Sequence, residues 1–61
     1  MPEVVVYAVQ GRTIEQKRGL VKDITDAVTK NFGAPRDAVT VQIVECPKTD
    51  KAKGGVLFSE Q

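Results

Sequence analysis

The 61-residue chain has no histidine and no tryptophan, one cysteine and one methionine. Without histidine there is no Ser-His-Asp or Cys-His arrangement and no imidazole base. A lone thiol, Cys46, forms no internal disulfide and no cysteine–histidine zinc cluster. No apolar run reaches the length of a membrane span. The N-terminus lacks the basic start and apolar stretch of a secretion signal. An excess of charge is missing too. Nine basic residues stand against eight acidic ones, a net charge of +1, too even for a nucleic-acid surface. Lys48, Lys51 and Lys53 make a local basic stretch, but Asp50 interrupts it, as in a solvated loop. These absences point to a cytoplasmic protein with a reduced thiol, with no membrane or nucleic-acid partner.

The chain is also short of core. Sixty-one residues allow one small domain, 1–61, burying only about 60% of the surface its unfolded chain exposes. Chains of this size need disulfides, a metal or oligomerisation. The first two are not provided for, so self-association is the expected support.

What is present reads strand, helix, strand, tail. Glu3 to Val9 (EVVVYAV) is β-branched and aromatic, a strand with Val4, Val6 and Ala8 on one face and Val5, Tyr7 and Val9 on the other. Both faces are apolar. Thr13-Ile14-Glu15-Gln16 is a capping box, with Thr13 as N-cap and Gln16 as its reciprocal partner. A helix should follow from Ile14 to Phe32. Its apolar stripe is Ile14, Leu20, Val21, Ile24, Ala27, Val28 and Phe32, and Gly33 and Pro35 stop it. Val39 to Glu45 (VTVQIVE) alternates as a second strand. Strand, crossover helix and strand form a β-α-β unit with parallel strands, an α/β (α+β) architecture. One helix covers one sheet face, so the other face of the first strand should meet another copy of the chain. Gly54-Gly55 followed by Val56-Leu57-Phe58 reads as a turn and short strand, a C-terminal hairpin or a strand added to a neighbour. The Gly-Gly pair lacks the strand–GxGxxG–helix setting of a phosphate loop.

The chemistry available is limited. The carboxylates form no evident pair at a strand end and read as helix surface. Cys46, after the second strand, reads as a small buried hydrophobe, with a redox-sensitive thiol as the other possibility. Pro2 has two readings. A proline suits the first residue of a strand, where a missing N–H costs little. A small second residue also lets the initiator methionine be removed, which would leave Pro2 with a free secondary amine. A prolyl amine is more basic than an ordinary α-amine, which titrates near ~8. Burial and nearby cations would make it neutral enough to act as a general base. Arg12, Lys51 and Lys53 are the candidate cations, and they would also attract an anionic substrate and stabilise a developing enolate.

Pro2 directly after methionine, the short strand, and Gly11-Arg12-Thr13-Ile14-Glu15-Gln16-Lys17 resemble the 4-oxalocrotonate tautomerase family. The similarity runs on through Gly33-Ala34-Pro35, the valine-rich second strand, Glu45 and Gly54-Gly55, so it covers nearly the whole chain. The resemblance implies a β-α-β protomer assembled as a hexamer, a trimer of dimers. It implies that Pro2 shuttles a proton on an unsaturated 2-hydroxy or 2-oxo acid without metal or organic cofactor. It also implies that Arg12 holds a substrate carboxylate in a neighbouring subunit's site. The chain departs from the family pattern at two positions. Thr40 stands where well-studied members carry a second arginine, and a hydroxyl does not replace a guanidinium. Lys51 stands where they carry a loop aromatic. Lys51 or Lys53 would then supply the missing positive charge. The basic C-terminal end of those members is also replaced, by Phe58-Ser59-Glu60-Gln61. The departures bear on the dicarboxylate substrate and leave the proline chemistry in place. Dehalogenase relatives use a loop carboxylate near Lys53, so hydrolytic dehalogenation ranks low. A non-catalytic oligomeric scaffold, or a carrier of small anions, is the alternative reading.

Overall fold

The computed structural model describes residues 1–61, and its elements grow from local signals. Strand β1 spans Glu3–Val9. Helix α1 spans Ile14–Phe32. The Thr13 hydroxyl accepts from the Gln16 N–H at 3.2 Å, and the Gln16 Oε1 accepts from the Thr13 N–H at 2.9 Å. Two of the orphan donors at the helix start are thereby satisfied. At the other end Gly33 adopts the left-handed region, φ 69°, and its N–H donates to the Thr29 carbonyl. That conformation carries a penalty for any residue with a Cβ.

A short 3₁₀ turn at Arg36–Ala38 leads into β2, Thr40–Cys46. The sequence places this strand one residue earlier. The difference arises because the Val39 N–H is taken by the Arg36 carbonyl inside the turn, so the ladder begins at Thr40, whose N–H donates to the Pro2 carbonyl at 3.0 Å. β1 and β2 are parallel, in register from Glu3 opposite Thr40 to Val9 opposite Cys46. The α1 crossover makes the parallel pairing possible.

Alternation sorts the sheet into two faces. Val4, Val6 and Ala8 of β1, with Val41, Ile43 and Glu45 of β2, are the more covered set. Val5, Tyr7, Gln42 and Val44 stand exposed on the other side. Helix α1 contributes Val21, Ile24 and Val28 to the covered side, together with Thr25 and Thr29. The two threonines fit there because their hydroxyls return to helix carbonyls, Thr25 to Val21 and Thr29 to Asp26, leaving their methyls for packing. Ile14, Leu20, Ala27 and Phe32 from the expected stripe stay exposed. On the outer surface Asp26 is bound by Arg36 and by Lys22. These hydrogen bonds, Arg36's first, hold its carboxyl below the ordinary value of 3.8.

The tail folds back on itself. Gly54 and Gly55, both at positive φ, make a two-residue turn of the kind that matches strand twist. It joins β3, Ala52–Lys53, to β4, Val56–Leu57, as an antiparallel hairpin. The expected tail strand thus finds a partner within its own chain.

The lone chain is a thin plate of 42 × 23 × 13 Å. Its radius of gyration is 14.6 Å, against about 10.5 Å for a compact chain of this length. Its accessible surface is 4666 Å², roughly 800 Å² more than a compact monomer of this mass exposes. None of its 61 residues is buried. One helix covers one face of the two-stranded sheet and leaves Val5, Tyr7 and Val44 of the other face exposed.

Candidate functional site

Parallel strands give the chain two distinct ends, and the candidate residues divide between them. At the start of the strands sit Pro2 and Thr40, joined by the ladder bond from the Thr40 N–H to the Pro2 carbonyl. Pro2 is half-buried, whereas Met1 before it is 97% exposed and so open to removal. Thr40 is exposed. The ring nitrogen of Pro2 carries no N–H to lose from the ladder, which suits the first position of a strand.

The far end is built differently. Beyond Val9 the Gln10 N–H donates to the Cys46 carbonyl at 3.0 Å, closing the strand pair. Gly11, at φ 131°, then turns the chain toward the helix. Arg12 follows, exposed, with its Nη1 donating to the Val9 carbonyl at 2.9 Å. That bond fixes the root of the guanidinium and leaves most of its five N–H donors free. The chain leaves the same end through half-buried Cys46 and a 3₁₀ turn at Lys48–Asp50. It then reaches half-buried Lys51, whose carbonyl accepts from the Phe58 N–H at 2.8 Å, and exposed Lys53 opposite Val56.

Between α1 and the covered sheet face, at the Arg12 end, lies a cavity of about 180 Å³. Val6, Ala8 and Ile43 of the strands and Leu20 of the helix give it an apolar floor. Arg12, Gln16, Lys17 and Glu45 supply its polar wall. The Lys17 Nζ donates to the Glu45 Oε1 at 2.6 Å, an ion pair with side chains 31% and 21% exposed. This pair is absent from the sequence reading as a site feature. The signal available was thin: Glu45 occupies an otherwise apolar row of β2, and Lys17 lies 28 residues away.

The structure therefore brings Pro2 and Thr40 together and sets Arg12 apart from them. At about 3.3 Å per residue, β1 separates Pro2 from Val9 by roughly 23 Å, and Arg12 lies beyond Val9. No small organic acid spans that distance, so one chain does not present Pro2 and Arg12 to one substrate. The fold defines a class: a small β-α-β protomer, here with its candidate residues divided between the two ends of the strand pair.

The comparisons are specific about which class this is. A family model described as tautomerase enzyme matches residues 2–61. A probable tautomerase of Bradyrhizobium diazoefficiens is 51% identical over 61 residues, covering 100% of this chain and 91% of that protein. One from Lactiplantibacillus plantarum is 46% identical, covering 100% and 95%. Among solved structures, a 4-oxalocrotonate tautomerase homologue superposes with a TM-score of 0.95 at 36% identity, covering 100% of this chain and 97% of that one. A heterohexamer 4-oxalocrotonate tautomerase from Chloroflexus aurantiacus gives 0.91 at 30% identity, covering 98% and 97%. The chain belongs to the tautomerase family, among the homologues of 4-oxalocrotonate tautomerase.

Proposed function

We propose that the protein, cytoplasmic and as one domain spanning 1–61, is a cofactor-independent tautomerase of unsaturated 2-hydroxy and 2-oxo acids. It works as a homo-oligomer, a hexamer by likeness to the family, with Pro2 as the general base and acid. The observation that carries this reading is the placement of Pro2 and Arg12 at opposite ends of one strand. A two-fold axis makes paired strands antiparallel and their contact self-complementary. An edge-to-edge meeting of two β1 strands, or a face-to-face meeting of their exposed Val5 and Tyr7, then carries the Pro2 end of one copy to the Arg12 end of the other. One interface thus covers apolar surface and completes two sites.

In such a site Met1 has been removed and the Pro2 amine is free. The cations of the far end, Arg12 with Lys51 or Lys53, disfavour a charged amine and favour an anionic ligand. Arg12 holds the substrate carboxylate through paired N–H···O bonds. The neutral proline nitrogen takes the proton of the enol hydroxyl. The oxygen's electron pair forms the C=O bond, and the C=C pair takes a proton back from the prolinium at carbon. The hydroxyl proton is thus returned and nothing is consumed. The cations stabilise the enolate while it carries the negative charge. Thr40, beside Pro2, offers a neutral hydroxyl to the ligand, which suits a monocarboxylic acid better than a dicarboxylate.

The test is ketonisation of phenylenolpyruvate and of 2-hydroxymuconate by the wild type and by Pro2→Ala. The variant should lose turnover with its assembly intact, and unchanged turnover would refute the role of Pro2. A second reading, a non-catalytic scaffold or small-anion carrier, is favoured by Thr40 and Lys51 standing in place of the family's arginine and aromatic. An intact mass that retains methionine supports this second reading, because an acylated Pro2 has no basic nitrogen.

A further inference from the structure

Three charged side chains line the cavity at the Arg12 end: Arg12, Lys17 and Glu45. Two cations and one carboxylate thus line one cavity, and only Lys17 is bound to the carboxylate. Glu45 lies on the covered face of β2, above an apolar floor, where a carboxylate needs a counter-charge. Lys17 reaches it from the first turns of α1 at 2.6 Å, while Arg12 is held only by a single bond to the Val9 carbonyl. An arginine is the better carboxylate partner in geometry, since its planar fork donates to both oxygens at once. Were Glu45 unoccupied, Arg12 would be drawn onto it and its donors used up inside its own chain.

We propose that Lys17 is a positioning residue that occupies Glu45 and thereby keeps the Arg12 guanidinium free for a ligand carboxylate. The role rests on the proposed reading of Arg12. It also explains the cavity's charge pattern, in which a half-buried acid stands near a substrate-binding cation without neutralising it. With the ion pair formed, Arg12 is the uncompensated charge of the wall. With Lys17 removed, the wall is neutral and offers an anion little.

The test uses the assembled protein with phenylenolpyruvate as probe. Lys17→Met keeps the length and apolar stem of the side chain. It should raise KM about ten-fold, the scale of a lost charge-assisted contact, and lower kcat as well, because Arg12 is also one of the cations that stabilise the enolate. Adding Glu45→Gln to Lys17→Met removes the competing carboxylate and should bring KM back to within about three-fold of wild type. A merely structural tie between α1 and β2 is also relieved once the unpaired carboxylate is removed, but it leaves the Arg12 N–H signals of Lys17→Met as they are in the wild type. An unaltered KM in Lys17→Met, or a double variant as impaired as the single one, overturns the proposal. Arg12→Ala, measured alongside, separates the failures. If it raises KM while Lys17→Met does not, the positioning role alone falls; if it leaves KM unchanged, the carboxylate role of Arg12 falls and this proposal with it. Lys17→Gln is carried in parallel so that a Lys17→Met chain that fails to assemble still leaves a readable variant. The Arg12 side-chain N–H signals in NMR should show slowed exchange in Lys17→Met and Lys17→Gln, as Glu45 takes the guanidinium, and wild-type behaviour in the double.

Discussion

Truncating Tyr7 to alanine tests whether the uncovered sheet face is an interface. Tyr7 is 74% exposed in the lone chain, flanked by Val5 at 42% and Val44 at 37%. An aromatic side chain presents about 200 Å², so roughly 150 Å² of Tyr7 awaits cover. At about 25 cal/mol per Å², with the hydroxyl and the retained Cβ discounted, its burial is worth about 3 kcal/mol per chain. A symmetric pair of copies loses this twice, and about 6 kcal/mol is roughly four decades in a dissociation constant. Sedimentation velocity across a thousand-fold range of concentration reads the effect. The wild type should remain a single assembled species, while Tyr7→Ala should dissociate within the range. Its melting temperature should become strongly dependent on concentration, because folding and association are linked. The excess surface of the lone chain, roughly 800 Å² over a compact monomer, is close to what each partner buries in an interface of standard size. A wild-type protein that sediments as a monomer and melts cooperatively at a concentration-independent temperature would refute the reasoning. So would a Tyr7→Ala variant that assembles as tightly as its parent.

Two further outcomes concern stability. Asp26 is held below its ordinary pKa of 3.8 by Arg36 and then Lys22, so the folded state favours its charged form. That contribution is fully present above the unfolded value and is lost as pH falls through the lower folded one. Asp26→Asn should therefore lower the melting temperature slightly at pH 7, and the difference should shrink as pH falls below 3.8, as followed by circular dichroism. Thr13→Ala removes the hydroxyl that accepts from the Gln16 N–H and should cost about 1 kcal/mol per chain in denaturant unfolding.

Much of the fold was legible because its signals are local. The capping box, Gly33 and the β-branched run of β1 act within a few residues, and α1 and β1 begin and end where those signals fall. β2 begins one residue later than its alternation suggests, because the preceding turn claims the Val39 N–H, a competition that a pattern of apolar residues does not display. Thr25 and Thr29 were left off the helix stripe because a hydroxyl counts as polar until its bond to a helix carbonyl is seen. The Lys17–Glu45 pair joins residues far apart in sequence, and nothing local announces it. As for the site, the candidate residues were named from residue type and family likeness, and their division between two ends of the strand pair follows from the parallel strands the pattern predicts. Parallel pairing decides it, since it carries Thr40 to Pro2 and leaves Arg12 beyond Val9.

The catalytic proposal stands or falls on the nitrogen of Pro2. Labelling the proline with ¹⁵N and titrating its signal in the assembled protein follows that atom directly. A free amine that loses its proton near pH ~7, in step with the rising limb of the rate profile, is the predicted result. A nitrogen that never titrates, because methionine remains attached, or one that stays protonated well above neutrality, would contradict it.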